Sequence, residues 1–312
     1  PNPPVGATIT YYVKDDYKSL KKQRNEAEKK LQDAKKDVLY PSYETLKKED
    51  AEEEPYLLFA ISDSEGRVVR KIKQPIKAGV HRVVWDFRTS PTGPIALEPP
   101  PNPAPWDQPD VGYMVPPGSY QVAMYRFQDA KLTALGPPRT VKCEPLQLGS
   151  IPLADQQTLR TFNEKVAALS RAISAADAHR GKLNDMLPYL EAAVLSVRDL
   201  DGSQLAELSS IRADLKKVND ELVGDKLLPR FEGQARTSLK GRTDLIIGSL
   251  WNTTSGSTGT YERAYQEAHD TFGAVLLELH DLHQRTQTLA DQLERQGAPY
   301  TPGRMPVWED AK

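Results

Sequence analysis

The chain has 312 residues, of which 41 are Lys or Arg and 43 are Asp or Glu, and the two signs of charge are interspersed. Because positive and negative charges are nearly equal in number, they create no net field that would attract nucleic acid or an anionic membrane. The longest apolar runs, such as residues 56–61, are far shorter than the roughly 20 residues that cross a bilayer, so we expect no membrane span. The single Cys143 excludes an internal disulfide, and the length predicts about two domains.

Alternation of apolar and polar residues predicts short strands within residues 1–146. The strand-like runs are 7–13, 56–62, 67–72, 79–87, 120–127 and 139–143, with a short piece near Leu132. The run at 79–87 has the strongest pattern, because Val83, Trp85 and Phe87 share one face and should place Trp85 near the centre of the fold. Short strands separated by turn residues predict a β-sandwich of the immunoglobulin or fibronectin type III kind.

A charged segment at about residues 15–54 interrupts the strands and is predicted to be helical. Good helix formers dominate residues 15–37, and Ser42 is the expected N-cap of a shorter helix over 43–53. Because its mixed charges cancel over a Debye length, we interpret the segment as a solvated helical insert and not as a basic binding patch.

The connection over residues 89–117 is rich in proline, which excludes regular structure. It carries Trp106 and Tyr113, the best candidates for a surface that stacks on a sugar or docks a protein. The competing interpretation is that the two rings pack back onto their own β-sandwich.

After Pro145 the hydrophobic period changes from two to about 3.6 residues, which predicts an antiparallel helical bundle over residues 147–298. The apolar positions between 153 and 199 keep one phase across Gly181 and Pro188, so this stretch is either one kinked helix or two in succession. Further helices are expected over 205–222, 235–251 and 261–293, where only Thr286 breaks the phase of the last one. Residues 299–312 are predicted to form an extended tail.

Several short stretches stand in a distinctive order, namely NPPVGA at 2–7, Tyr11 and Tyr12 before the charged helix, GVHRVVWDF at 79–87, VPPGSY at 115–120 and APYTPGR at 298–304. In this order they resemble the C-terminal region of bacterial sortilin-type β-propeller proteins, often labelled glycosyl hydrolases, up to about Trp308. The resemblance implies that an export signal and one or two β-propellers precede this region. The start on Pro1 without a Met leads us to expect a fragment of a longer polypeptide, and any hydrolase site would then lie in the propeller portion.

The remaining clusters of reactive side chains favour structural roles. His280 and His283 have a spacing that could present two imidazoles to a metal, but Leu279 beside them faces the core, and zinc sites need three or four ligands. His81 is interpreted as a strand residue with satisfied hydrogen bonds, and Cys143 as a small buried hydrophobe. We assign no catalytic, cofactor-binding or metal-binding residue.

The leading hypothesis is a non-catalytic structural or interaction region of an exported bacterial protein that is secreted, periplasmic or on the cell surface. Its partners would be β-propeller domains of the same or another polypeptide, or a cell-surface protein or carbohydrate. The alternative is a carbohydrate-binding accessory module that uses Trp106 and Tyr113. An enzyme remains only if a preceding region carries the active site and this chain shapes its cleft.

Overall fold

The computed structural model describes residues 5–97, 111–145, 155–198, 202–232, 237–253 and 255–305. The chain divides into two compact units, Pro1–Ser90 with Met114–Leu148 and Pro91–Tyr113 with Gly149–Lys312. We call them the β unit and the helical unit. The chain is thus of mixed α and β class, with antiparallel sheets in the first unit. The described ends of the proline-rich connection, 91–97 and 111–113, belong to the helical unit, whereas the sequence analysis placed them in the first domain.

Two antiparallel sheets make up the β unit. Its strands are β1 Ala7–Val13, β2 Tyr56–Ser62, β3 Val68–Pro75, β4 Gly79–Trp85, β5 Gly118–Gln128, β6 Lys131–Ala134 and β7 Arg139–Cys143. β1 pairs with β4, and the second sheet has the order β3-β2-β5-β6, with β7 also paired to β5. The strands confirm the period-two prediction, and β5 begins directly after Pro116 and Pro117, which cannot donate to a ladder.

Trp85 lies in the hydrophobic core that both sheets share. It is 0 % exposed, and its indole N–H donates to the carbonyl of Arg88 at 2.9 Å, so its one polar atom is satisfied. The rings of Phe87 and Tyr120 meet it edge-on, each with a centroid distance of 5.1 Å. The predicted central position of Trp85 is confirmed, and the residue links β4 of one sheet to β5 of the other.

A helical hairpin fills the connection between β1 and β2. It consists of α1 Leu20–Asp33 and α2 Tyr43–Asp50, and neither helix buries a single residue. Ser42 accepts a hydrogen bond from the Thr45 amide, which confirms the predicted N-cap of α2. α1 begins later than predicted because Ser19 caps it by accepting from the Lys22 amide.

The helical unit is built from helices that pack around shared cores. They are α3 Gln156–Val194, α4 Gly202–Leu222, α5 Leu228–Glu232, α6 Leu239–Leu250 and α7 Gly259–Arg295. α3 is one continuous helix that contains Pro188, which resolves the alternative left open by the sequence. Pro188 is exposed, so its ring faces solvent and not the core. None of the described helices combines the length and the hydropathy that a membrane crossing requires.

The polar Thr286 does not interrupt the buried face of α7. Its side chain is 0 % exposed, and its hydroxyl donates to the carbonyl of Leu282 at 2.7 Å. Because the hydroxyl is satisfied within its own helix, Thr286 occupies the core face beside Leu289 and Leu293. The apolar stripe therefore continues through it.

The end of the described chain folds back onto α7. Arg304 is buried, and its guanidinium donates to the carbonyl of Ala290 at 2.9 Å and to the carboxylate of Glu294 at 2.8 Å. A cation bonded to a carbonyl in the last turns of a helix also opposes the negative end of the helix dipole. The segment predicted as an extended tail thus contains an anchored residue.

We expect Gly6→Ala to destabilise the β unit. Gly6 has φ +134°, and an added Cβ would lie 2.2 Å from the carbonyl oxygen of Trp85. Relief of this clash must shift β1 or β4, at a cost of about 2 kcal/mol. Amide hydrogen exchange in β4 should therefore accelerate about tenfold or more.

The matched control for Gly6 is Gly118→Ala, where an added Cβ would meet nothing within 4 Å. Exchange in β4 should be unchanged in this control. Equal exchange in the two variants would contradict the close approach of Gly6 to Trp85.

Candidate functional site

The hairpin between β1 and β2 ends in an exposed apolar surface. Leu39, Tyr40 and Tyr43 are 85 %, 87 % and 75 % exposed, and we call these three residues the tip. A shallow groove of about 330 Å³ runs beside it, with the charged Arg24 and Glu28 among its lining residues. Sequence reasoning treated this segment as solvated and missed the tip, because a count of charges does not show where the few apolar residues gather.

An ion-pair clamp holds the two helices of the hairpin together. The Arg24 guanidinium binds Glu49 with two parallel hydrogen bonds of 2.7 and 2.9 Å, and its third nitrogen binds Glu28 at 2.7 Å. These hydrogen bonds from Arg24 lower the pKa of Glu49. A bidentate pair fixes geometry as well as distance, so α1 and α2 keep one arrangement although they bury no residue.

The base of the hairpin is tied to the β unit. Glu52 accepts hydrogen bonds from the Tyr17 hydroxyl and from the Leu20 amide, the latter at 2.8 Å. Burial, together with this bond to Glu52, raises the pKa of Tyr17 to about 12. Asp16 accepts from the amide of Ala78, next to the start of β4, at 2.7 Å. The tip therefore stands on a fixed base.

Of the two aromatic residues predicted in the proline-rich connection, Tyr113 lies among the described residues and Trp106 lies outside them. Tyr113 is partly buried, and its ring meets the buried Trp251 edge-on at a centroid distance of 5.8 Å. Phe162 and Tyr265 form a similar pair at 5.9 Å in the same cluster. The structure thus brings Tyr113 to an aromatic cluster of the helical unit, and the sequence analysis did not connect it to Trp251.

A polar groove of about 430 Å³ opens beside this aromatic cluster, between the first turns of α3 and α7. Phe162 and Tyr265 contribute rings to its lining, while Gln157, Lys165 and Glu262 contribute polar groups. Rings next to amide and charged groups form a surface that can stack on a sugar and bind its hydroxyls.

A second groove of about 430 Å³ lies further along α3 and α7. Its walls are apolar, with Ala172 and Ala175 on α3 opposite Phe272 and Leu276 on α7. His179 of α3 and His280 and His283 of α7 also line it. The rings of His179 and His283 approach to a centroid distance of 5.0 Å. We call these three residues the histidine cluster.

The surroundings of His179 disfavour its protonation. Burial lowers the pKa of His179, and the neighbouring His283, Lys182 and His280 lower it further by charge repulsion. The Nδ1 atom of His283 is buried and has no hydrogen-bond partner among the described residues. The chain thus places three histidine rings close together, where its own polar groups offer them few hydrogen-bond or charge partners.

The other residues discussed from sequence have local partners. His81 Nε2 lies 2.8 Å from the carbonyl oxygen of Lys77, as expected for a satisfied strand residue. Cys143 is a free, partly buried thiol against the core of the β unit, and burial raises its pKa. In the part of the chain that the structure describes, no group of three or more His, Cys, Asp or Glu residues is arranged to hold a metal ion.

No protein-family model, curated protein sequence or solved structure matches this chain.

We expect His179→Gln to change how stability depends on pH. Because the folded chain holds the pKa of His179 below its usual 6.5, the unfolded chain takes up this proton first as the pH falls. His179 therefore makes its full contribution to the free energy of unfolding above its pKa in the unfolded chain. This contribution is lost as the pH falls toward its pKa in the folded chain.

Urea unfolding between pH 8 and pH 5 checks this prediction. Relative to the unaltered chain, His179→Gln should lose less stability at the acidic end. His81→Gln is the control, because its imidazole lies in the β unit beside a carbonyl. Identical pH profiles for the unaltered chain and His179→Gln would contradict the repulsion within the histidine cluster.

Proposed function

We propose that this chain is a non-catalytic interaction region of an exported bacterial protein that carries β-propellers. In this proposal the β unit is a sandwich of the immunoglobulin or fibronectin type III kind, and the helical unit is an antiparallel helical bundle. The paired sheets around Trp85 and the long helices α3 and α7 support this architecture. The partner is a β-propeller of the same or another polypeptide, and the location is the periplasm, the cell surface or the medium.

The exposed tip carries the proposal. A hairpin without buried residues adds little to the stability of its own domain, yet the Arg24 clamp and the hydrogen bonds to Glu52 hold it in one arrangement. Tyrosine is enriched among residues that dominate binding energies, because it buries a large area and loses few rotamers. A rigid support that presents Leu39, Tyr40 and Tyr43 to solvent is the arrangement expected of a docking surface.

The surroundings of the tip favour a folded protein as the partner. Three apolar side chains stand beside a shallow groove that contains Arg24 and Glu28, so an apolar centre has charged groups next to it. Protein interfaces have this composition, with an apolar core and a polar rim. In the proposal, any hydrolytic activity belongs to the propeller portion, and the chain alone should hydrolyse neither glycosides nor peptides.

The double substitution Leu39→Ser and Tyr40→Ser should weaken binding of the chain to the separately produced propeller portion. Burial of each side chain contributes roughly 1.5–3 kcal/mol, so the dissociation constant should rise at least about tenfold. Both side chains are exposed, so the fold should be unaffected. Biolayer interferometry measures the change.

The matched control for the tip is Leu277→Ser with Tyr189→Ser, which removes an exposed Leu and an exposed Tyr from the helical unit. This control should bind within about twofold of the unaltered chain. Equal weakening by both pairs, or none by either, would contradict docking through the tip. Hydrolysis of a glycoside or peptide by the purified chain would contradict the non-catalytic assignment.

A second candidate function is carbohydrate binding by the helical unit. The polar groove lined by Phe162, Tyr265, Gln157 and Lys165 favours it, and the aromatic cluster that includes Tyr113 adjoins this groove through Phe162 and Tyr265. Saturable glycan binding that is lost on Tyr265→Ala would support this candidate. Binding that survives Trp106→Ala and Tyr113→Ala would remove those two residues from the role.

A further inference from the structure

The apolar groove between α3 and α7 has the size and composition of a site for a small molecule. Its volume of about 430 Å³ falls within the range of ligand pockets, roughly 300–1,000 Å³. Small side chains at Ala172 and Ala175 leave the space, and Phe272 and Leu276 supply the larger apolar surface opposite. Apolar walls with a few polar groups at one place are the usual composition of such sites.

The histidine cluster supplies the polar groups. His179 and His283 stand ring to ring at 5.0 Å, and the buried Nδ1 of His283 has no partner among the described residues. Each ring gains a second N–H donor on protonation, so the cluster can offer several donors to an anion. An anion would also relieve the repulsion among the three rings and Lys182.

Two acidic residues near the histidine cluster have arginine partners. Asp177 accepts two hydrogen bonds from Arg180, at 2.8 and 3.1 Å, and Asp281 lies 3.7 Å from Arg285. The electrostatic neighbours of His179 within the described chain are His283, Lys182 and His280, all basic. The polar part of the groove therefore favours an anion over a cation.

We propose that this groove binds a free amphiphilic carboxylate, with its apolar body between the alanines of α3 and Phe272 of α7 and its carboxylate against the histidine cluster. The N–H donors of the cluster select the carboxylate, and the apolar walls select an alkyl or aryl body. This inference is independent of docking through the tip, which lies in the other unit.

Isothermal titration calorimetry with sodium decanoate, kept below its aggregation concentration, tests the proposal on the full chain. Decan-1-ol serves as the uncharged ligand of the same length. Decanoate should bind about tenfold more tightly than the alcohol at pH 6.0, because a charge-assisted hydrogen bond contributes about 1.5 kcal/mol or more. This preference should shrink at pH 8.0, where His179 is neutral. Histidine-selective NMR should show shifts at His179 and His283.

Two kinds of variant separate the walls from the cluster. Ala172→Leu with Ala175→Leu fills the groove at exposed helix positions and should weaken binding of both ligands at least about tenfold. Ala178→Leu, also exposed on α3 but outside the groove, is the matched control and should bind as the unaltered chain does. His179→Lys keeps a positive charge at pH 8.0 and should retain there the preference for decanoate.

Three results would overturn the proposal: equal affinity for decanoate and decan-1-ol at pH 6.0, no effect of the groove-filling pair, or no saturable binding of decanoate. Titration of decanoate into buffer without the chain, measured in parallel, gives the heat of dilution. Heat that matches this reference and leaves the histidine resonances unshifted counts as no binding.

Discussion

Burial of Trp85 between two antiparallel sheets is the constraint on which the β unit depends. The indole of Trp85 joins β4 to β5. The backbone carbonyl of Trp85 lies so close to Gly6 that only glycine fits at that position. This packing fixes the positions of β1 and β2, and the helical hairpin connects these two strands. The position of the tip therefore follows from a core to which the tip contributes nothing.

The hairpin and the core are stabilised by different interactions. The core is held by apolar burial, whereas the hairpin is held by polar contacts of Arg24, Glu49 and Glu52. Because α1 and α2 bury no residue, the hairpin should open at a lower free energy than the sheets. A support of this kind can be ordered in the free chain and still adjust when a partner binds.

Periodicity predicted most elements of the fold because most strands and helices bury one face, whereas α1 and α2, which bury no residue, follow from helix propensity. The strands around Trp85, the Ser42 cap and the long α7 follow from local pattern and capping chemistry. The local pattern did not predict burial where a residue from another element determines which side chain is buried. At the start of α4, Gln204 is buried and Leu205 is exposed, and the Gln204 amide donates to Gln296 at 2.7 Å.

The candidate surfaces were less predictable for the same reason. The contact of His179 with His283 joins helices that are far apart in sequence, and the contact of Tyr113 with Trp251 joins a connection to a helix end. Single-sequence patterns contain no information on such pairs. The tip was missed for another reason, since exposure of Leu39 and Tyr40 depends on which residues the hairpin leaves without a neighbour.

The most direct measurement of the central claim is amide hydrogen exchange at short labelling times, on this chain alone and on the chain with the proposed propeller partner added. The account predicts slower exchange over residues 38–43 when the partner is present, and equal exchange over β6, whose residues are exposed. Equal exchange over residues 38–43 in the two samples would contradict a docked tip.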